Sequence, residues 1–224
     1  METEAPLPDE VAVMTLPGAV FFPQALLPLH IFEPRYRAML ADVLAGDRRF
    51  AVAALNSAAR EGFEPPHRVA TVGLVRACHH NPDGTTNLLL QGFARVEIRG
   101  IAREEPYRRI RVRPLASLPG ADAAEDLRQR ADLAHLLADR QDLGGPGPSG
   151  FLKLLSTVAD PGAFADLTAF TLCDDAGLKQ RLLETLDVPD RLRLLAAHFV
   201  RETETLRLAR RLQGGLGDND IARN

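Results

Sequence analysis

The chain has 224 residues, 46% hydrophobic and 25% charged, close to the globular average, so wholesale disorder is excluded and a substantial core is expected. Lys and Arg number 27 against 30 Asp and Glu, a net charge of −3, which argues against a general polyanion binder. All the basic residues except Lys153 and Lys179 are arginine, the side chain with planar, forked hydrogen bonding.

The first half reads mostly as strands. Glu10 to Leu16 alternates and stops at Pro17-Gly18, a turn signal. Short apolar pieces follow, Val20 to Phe22 and Leu26 to Leu29, each cut by proline. Pro34 suits a first helical position, Tyr36 to Leu44 supplies an apolar face, and Gly46 suits the stop. Phe50 to Leu55 resumes as a strand, and residues 60–68 read as a loop around Pro65-Pro66. Val69 to Cys78 and Thr86 to Phe93 flank Asn81-Pro82-Asp83-Gly84, a strong hairpin signal. Arg95 to Ile101 and Arg109 to Leu115 complete a run of short strands of the kind that closes into a barrel or sandwich.

The second half changes period. Leu127, Ala131, Ala134 and Ala138 recur at helical spacing, widened by Leu133 and Leu137. A Gly/Pro loop over 144–150 follows, with Ser149 expected to cap the next helix. Helical stretches are predicted over Phe151 to Val158, Pro161 to Leu172 and Gly177 to Leu186. Pro189 to Leu212 is predicted as a long last helix, about 36 Å at the helical rise, with Leu192, Leu195, Phe199 and Leu206 in one stripe. The expected plan is α+β: a β-rich part over 10–118 with one inserted helix, a helical bundle over 119–212, and flexible ends over 1–9 and 213–224.

At this point a family resemblance becomes visible. Leu16-Pro17, Phe22-Pro23 and Leu27-Pro28-Leu29-His30-Ile31-Phe32-Glu33-Pro34-Arg35-Tyr36 resemble the opening pattern of the N-terminal substrate-binding domain of Lon proteases. The resemblance continues through Val69 to Val75, Pro82-Asp83-Gly84 and Gly92-Phe93-Ala94-Arg95. In the helical half it reaches Ala165-Asp166-Leu167, Lys179-Gln180, Leu183-Glu184 and Arg191-Leu192. It implies a PUA-like β pseudo-barrel followed by a helical bundle, engagement of polypeptide substrates, and no chemistry in this domain. Neither lysine follows a glycine, so no phosphate-cradling G-x-x-x-x-G-K-[ST] loop is present. The expectation is a stand-alone, non-catalytic binding module without cofactor, taking unfolded or flexible polypeptides and working beside a protease or chaperone.

Candidate sites follow from residue chemistry. The stretch Val11 to Phe32 carries no formal charge, yet Pro17, Pro23 and Pro28 interrupt any continuous helix, so no membrane span is expected. Its Phe21, Phe22, Leu26, Leu27, Ile31 and Phe32 exceed what a small barrel takes in, and an outward apolar surface is what gripping unfolded chain requires. Arg109, Arg111 and Arg113 alternate with Ile110 and Val112, which puts three guanidinium groups on one strand face as an RNA or anion contact. No interleaved aromatic platform accompanies them, and nucleic acid is not the expected partner. Cys78-His79-His80 offers ligand types, but successive strand residues point to opposite faces, so no metal site is expected. Ser149 lies in a Gly/Pro loop that holds neither nucleophile nor base rigidly, so no catalytic residue is assigned. Glu33 is expected to complete a helix N-terminus and to pair with Arg35 or Arg95. Cys78 and Cys173 form no disulfide framework, consistent with a reducing, cytoplasmic setting.

Overall fold

A computed structural model describes residues 6–56 and 64–215. The loop expected over 60–68 and the flexible ends fall partly outside these residues. The chain divides into two compact units, Met1–Ser117 with Cys173–Leu186, and Leu118–Leu172 with Asp187–Asn224.

The first unit contains β1 (Glu10–Leu16), β2 (Leu26–Ile31), α1 (Pro34–Ala45), β3 (Arg49–Ala54), β4 (Val69–His80), β5 (Thr86–Arg103), β6 (Arg109–Pro114) and one later helix. β1 runs parallel to β3; β3–β4, β4–β5, β5–β6 and β6–β1 are antiparallel, which closes a ring of five strands. β2 lies outside the ring, antiparallel to the first residues of β5. The ring interior is built from one alternating set: Val11, Val13, Ala51, Ala53, Ala70, Val72, Val96, Ile110 and Val112. Alanine and valine dominate because the inside of so small a ring has room for little else.

Closure depends on β5. The sequence pattern reads as two strands, Thr86 to Phe93 and Arg95 to Ile101, but the structure holds one strand of 18 residues. One of its edges pairs with β4; the other serves β2 first and β6 later. Register shifts at Ile98/Gly100 and Ile101/Arg103 fall within its pairing with β6 and bend the last part of the strand.

α1 begins with Pro34 and stops at Gly46, as the sequence pattern predicts. Its Tyr36, Met39, Leu40 and Val43 are buried at helical spacing. The Tyr36 hydroxyl donates to the Thr15 carbonyl at 3.3 Å, tying the helix to β1. Glu33 is the N-cap residue but makes no side-chain cap; it accepts from Arg35 Nε at 2.9 Å instead. The alternative pairing with Arg95 does not occur in the structure, where Arg95 is buried and its Nε donates to the Leu183 carbonyl at 2.7 Å.

The second unit holds α2 (Ala123–Asp142), α3 (Phe151–Ser156) and α4 (Pro161–Leu172). After α5 (Ala176–Glu184), α6 (Val188–Gly215) completes it. α5 belongs to the first unit, although its position in a helical run places it with the bundle. Its Gln180 Nε2 donates to the Val69 carbonyl at 3.1 Å. In the helical unit a buried Arg191–Asp166 pair joins α6 to α4, and Arg140 on α2 bonds Glu202 on α6 at 2.7 Å. α6 continues as helix to Gly215, past the predicted start of the tail.

Candidate polypeptide-binding face

The proline-broken segment divides into an anchor and a face. Phe21 and Phe22 are buried, at 1% and 0% exposure, and Thr71 Oγ1 donates to the Phe21 carbonyl at 2.6 Å. A tight turn follows at Pro23-Gln24, with Gln24 at φ 66°. Gln24 N donates to the Gly92 carbonyl at 2.9 Å, and Gly92 N to the Ala25 carbonyl at 2.8 Å. A side chain at position 92 would place its Cβ 2.0 Å from the Phe22 carbonyl oxygen, so only glycine permits this approach.

β2 then alternates. Leu27 and Leu29 are half-buried and Ile31 is buried, whereas Leu26, Pro28 and His30 are exposed. Directly opposed residues of an antiparallel pair share a face. The outward row of β2 therefore meets Gln91, Leu89 and Asn87 of β5, and beyond them Ala77 and His79 of β4. Phe32 joins this face by stacking on His30, ring centroids 6.0 Å apart. Leu26 is 50% exposed and Phe32 59%. The rim is polar: His30 Nδ1 pairs with Asn87 Oδ1 at 2.7 Å, and Arg76 Nε donates to Gln91 Oε1 at 2.6 Å.

The six side chains read from the sequence as one binding surface are thus sorted by the turn and by strand alternation. Phe21, Phe22 and Ile31 belong to the core, which corrects that expectation for these three. Leu26 and Phe32 face outward, and Leu27 is half-buried on the opposite side of the ribbon. Pro28, Leu89 and Ala77 also belong to the outward face. Pro28 could have been found from the period of two running through Leu26 and His30; Leu89 and Ala77 depend on strand register.

The three arginines of β6 alternate with buried Ile110 and Val112 as the spacing predicts, but each has a different setting. Arg109 Nη2 donates to the Glu10 carbonyl at 3.1 Å, Arg113 pairs with Glu97 at 2.8 Å, and Arg111 is exposed. Cys78 is half-buried and free, and His80 Nδ1 lies 2.9 Å from Thr86 Oγ1. Among the described residues no group of three or more His, Cys, Asp or Glu gathers as a metal would need. Ser149 is exposed, and the N-cap of α3 is Gly150 at φ 75°, which corrects the capping role expected of Ser149. Among the described residues no helix is long and apolar enough to cross a membrane.

The fold and this face define a mixed α+β domain: a closed strand ring carrying an open, partly apolar ribbon, and a separate helical unit. Residues 10–201 match the family described as the ATP-dependent protease La (LON) substrate-binding domain, and the chain belongs to that family. It is 26% identical over 208 residues to the Lon protease of Dictyoglomus thermophilum, covering 92% of this chain and 26% of that protein. It is 30% identical over 216 residues to the Lon protease of Syntrophus aciditrophicus, covering 92% of this chain and 27% of that protein. The chain therefore spans about a quarter of the length of these relatives. Among solved structures, the N-terminal domain of the Mycobacterium avium complex Lon protease superposes with a TM-score of 0.68 at 20% identity, over 87% of this chain and 98% of that one. The Lon N-terminal domain protein from Xanthomonas campestris gives 0.61 at 19% identity, over 84% and 97%.

Proposed function

We propose that this chain is a non-catalytic module that binds unfolded or flexible polypeptide, in a cytoplasmic, proteolysis-related setting beside a protease or chaperone. Membership of a substrate-binding family supports the reading. The observation that carries it to particular residues is the outward placement of Leu26 and Phe32 on one face with Pro28 and Leu89. Burying a Leu or Phe side chain is worth about 1.5–3 kcal/mol, so two such contacts suffice for weak, sequence-tolerant grip on extended chain. The polar rim sets the borders of the contact and leaves its middle free to exclude water.

Fluorescence polarisation with a labelled unfolded model polypeptide tests the reading. Saturable binding is expected, weakened at least about tenfold by Leu26→Ser with Phe32→Ser. No saturation, or affinity unchanged in the folded double variant, overturns it.

A further inference from the structure

Three strands deliver arginines to one carboxylate. Arg68 immediately precedes β4, Arg99 lies on β5 and Arg113 on β6, and all three bond Glu97 of β5. Arg68 Nη2 stands 2.5 Å from Oε1, and Arg99 Nη1 and Arg113 Nη2 stand 3.1 Å and 2.8 Å from Oε2. The convergence is built into the register, which sets Val69 and Arg113 on either side of Glu97. The Glu97 side chain is only 8% exposed, whereas the arginines are 72%, 53% and 61% exposed. Burial works against its charge, but hydrogen bonds from Arg99 and Arg68 and the charge of Arg113 hold its carboxyl below the usual range.

One anion thus gathers three cations, leaving an excess of two positive charges at an exposed spot. Each guanidinium has five N–H donors in a fixed fork, so donors remain for a second acceptor. Arg111, further along the same face of β6, has Glu10 of β1 as its register partner.

We propose that Arg68, Arg99 and Arg113, organised by Glu97, form a receptor for the carboxylate side chains of an acidic polypeptide segment. This deepens the polypeptide-binding reading and rests on it: a client would combine an apolar stretch with acidic residues. The charge excess matches two carboxylates, whereas a nucleic-acid track neutralises a longer run of phosphates. Three rings of this unit are already covered by arginine, Tyr36 by Arg35, Phe93 by Arg49 and Tyr107 by Arg103, which leaves those faces unavailable for base stacking.

The test titrates the 224-residue chain into labelled hexaglutamate at low ionic strength. Saturable binding that weakens as salt rises is expected. Arg99→Gln and Arg113→Gln each leave Glu97 two arginine partners, so the fold is retained, and each weakens binding by about three- to fivefold. Thermal melts report whether the variants are folded. Should either variant unfold, labelled hexalysine against the unaltered protein decides: hexaglutamate binding no tighter than hexalysine overturns the proposal. Tighter binding of an oligothymidylate strand of matched charge overturns it in favour of nucleic acid. Failure of hexaglutamate while the unfolded apolar polypeptide still binds overturns this inference alone; failure of both overturns the broader reading as well.

Discussion

Phe22 is fully buried and Phe32 is 59% exposed, so the same truncation has different consequences at the two positions. Phe22→Ala leaves a void in close-packed surroundings and should cost about 3–5 kcal/mol in urea denaturation. Phe32→Ala should change stability by no more than about 0.5 kcal/mol, because the ring is mostly exposed and stacks on the exposed His30. Hydropathy reads these two rings alike; the turn at Pro23-Gln24 separates them. Glu97 makes a pH-dependent prediction. Its folded-state acidity is displaced downward, so its contribution is present above the unfolded-chain value and lost as pH falls through the lower folded value. Thermal midpoints followed from neutrality into acid should therefore fall more steeply for the unaltered protein than for Glu97→Gln, and the two curves should converge at the acid end.

Among the elements, those with local punctuation were legible in the sequence. Pro34 and Gly46 bound α1, and the Asn81–Gly84 turn, with Gly84 at φ 79° and Asn81 N bonded to the Thr85 carbonyl, joins β4 to β5. A barrel was expected, but the pairing that closes it was not legible, because it depends on β5 serving two partners along one edge, between residues far apart in sequence. Gly92 is the instructive position. Glycine weakens a strand pattern, but here its role is to let the Phe22 carbonyl come close while the strand continues. Gly92→Ala forces either that backbone or β5 to shift and should destabilise by about 1–3 kcal/mol in chemical denaturation. If stability is unchanged, the close approach is not what holds the Pro23-Gln24 turn against β5.

Across the whole molecule, the chain leaves the strand-rich unit after Ser117 and returns to it for Cys173–Leu186. The helical period of that segment is visible in the sequence, but its destination is not. Helix amphipathicity shows that a face is buried without naming what buries it. The tie is polar and non-local: Arg95 to the Leu183 carbonyl, Gln180 to the Val69 carbonyl. A fragment ending at Ser117 would leave Arg95 without that acceptor and is expected to unfold at lower urea than the 224-residue chain. Circular dichroism through a urea series checks this. The buried Arg191–Asp166 pair makes the corresponding test of the helical unit. Arg191→Met alone should cost about 3–5 kcal/mol by stranding the carboxylate, and adding Asp166→Leu should recover much of the loss.

β2 ends the row of strands with one side unpaired among the described residues, and such a margin tempts neighbouring copies to extend the ladder into aggregates. The Ala25 carbonyl accepts from Gly92, so by alternation Leu27 and Leu29 point their amides inward and position 28 points outward. Proline there removes a donor from the middle of the open margin, so a would-be seventh strand meets a gap. Pro28 thus lies on the proposed binding face and also withholds a ladder donor from neighbouring copies, and Pro28→Val should reveal this as growing light scattering on incubation.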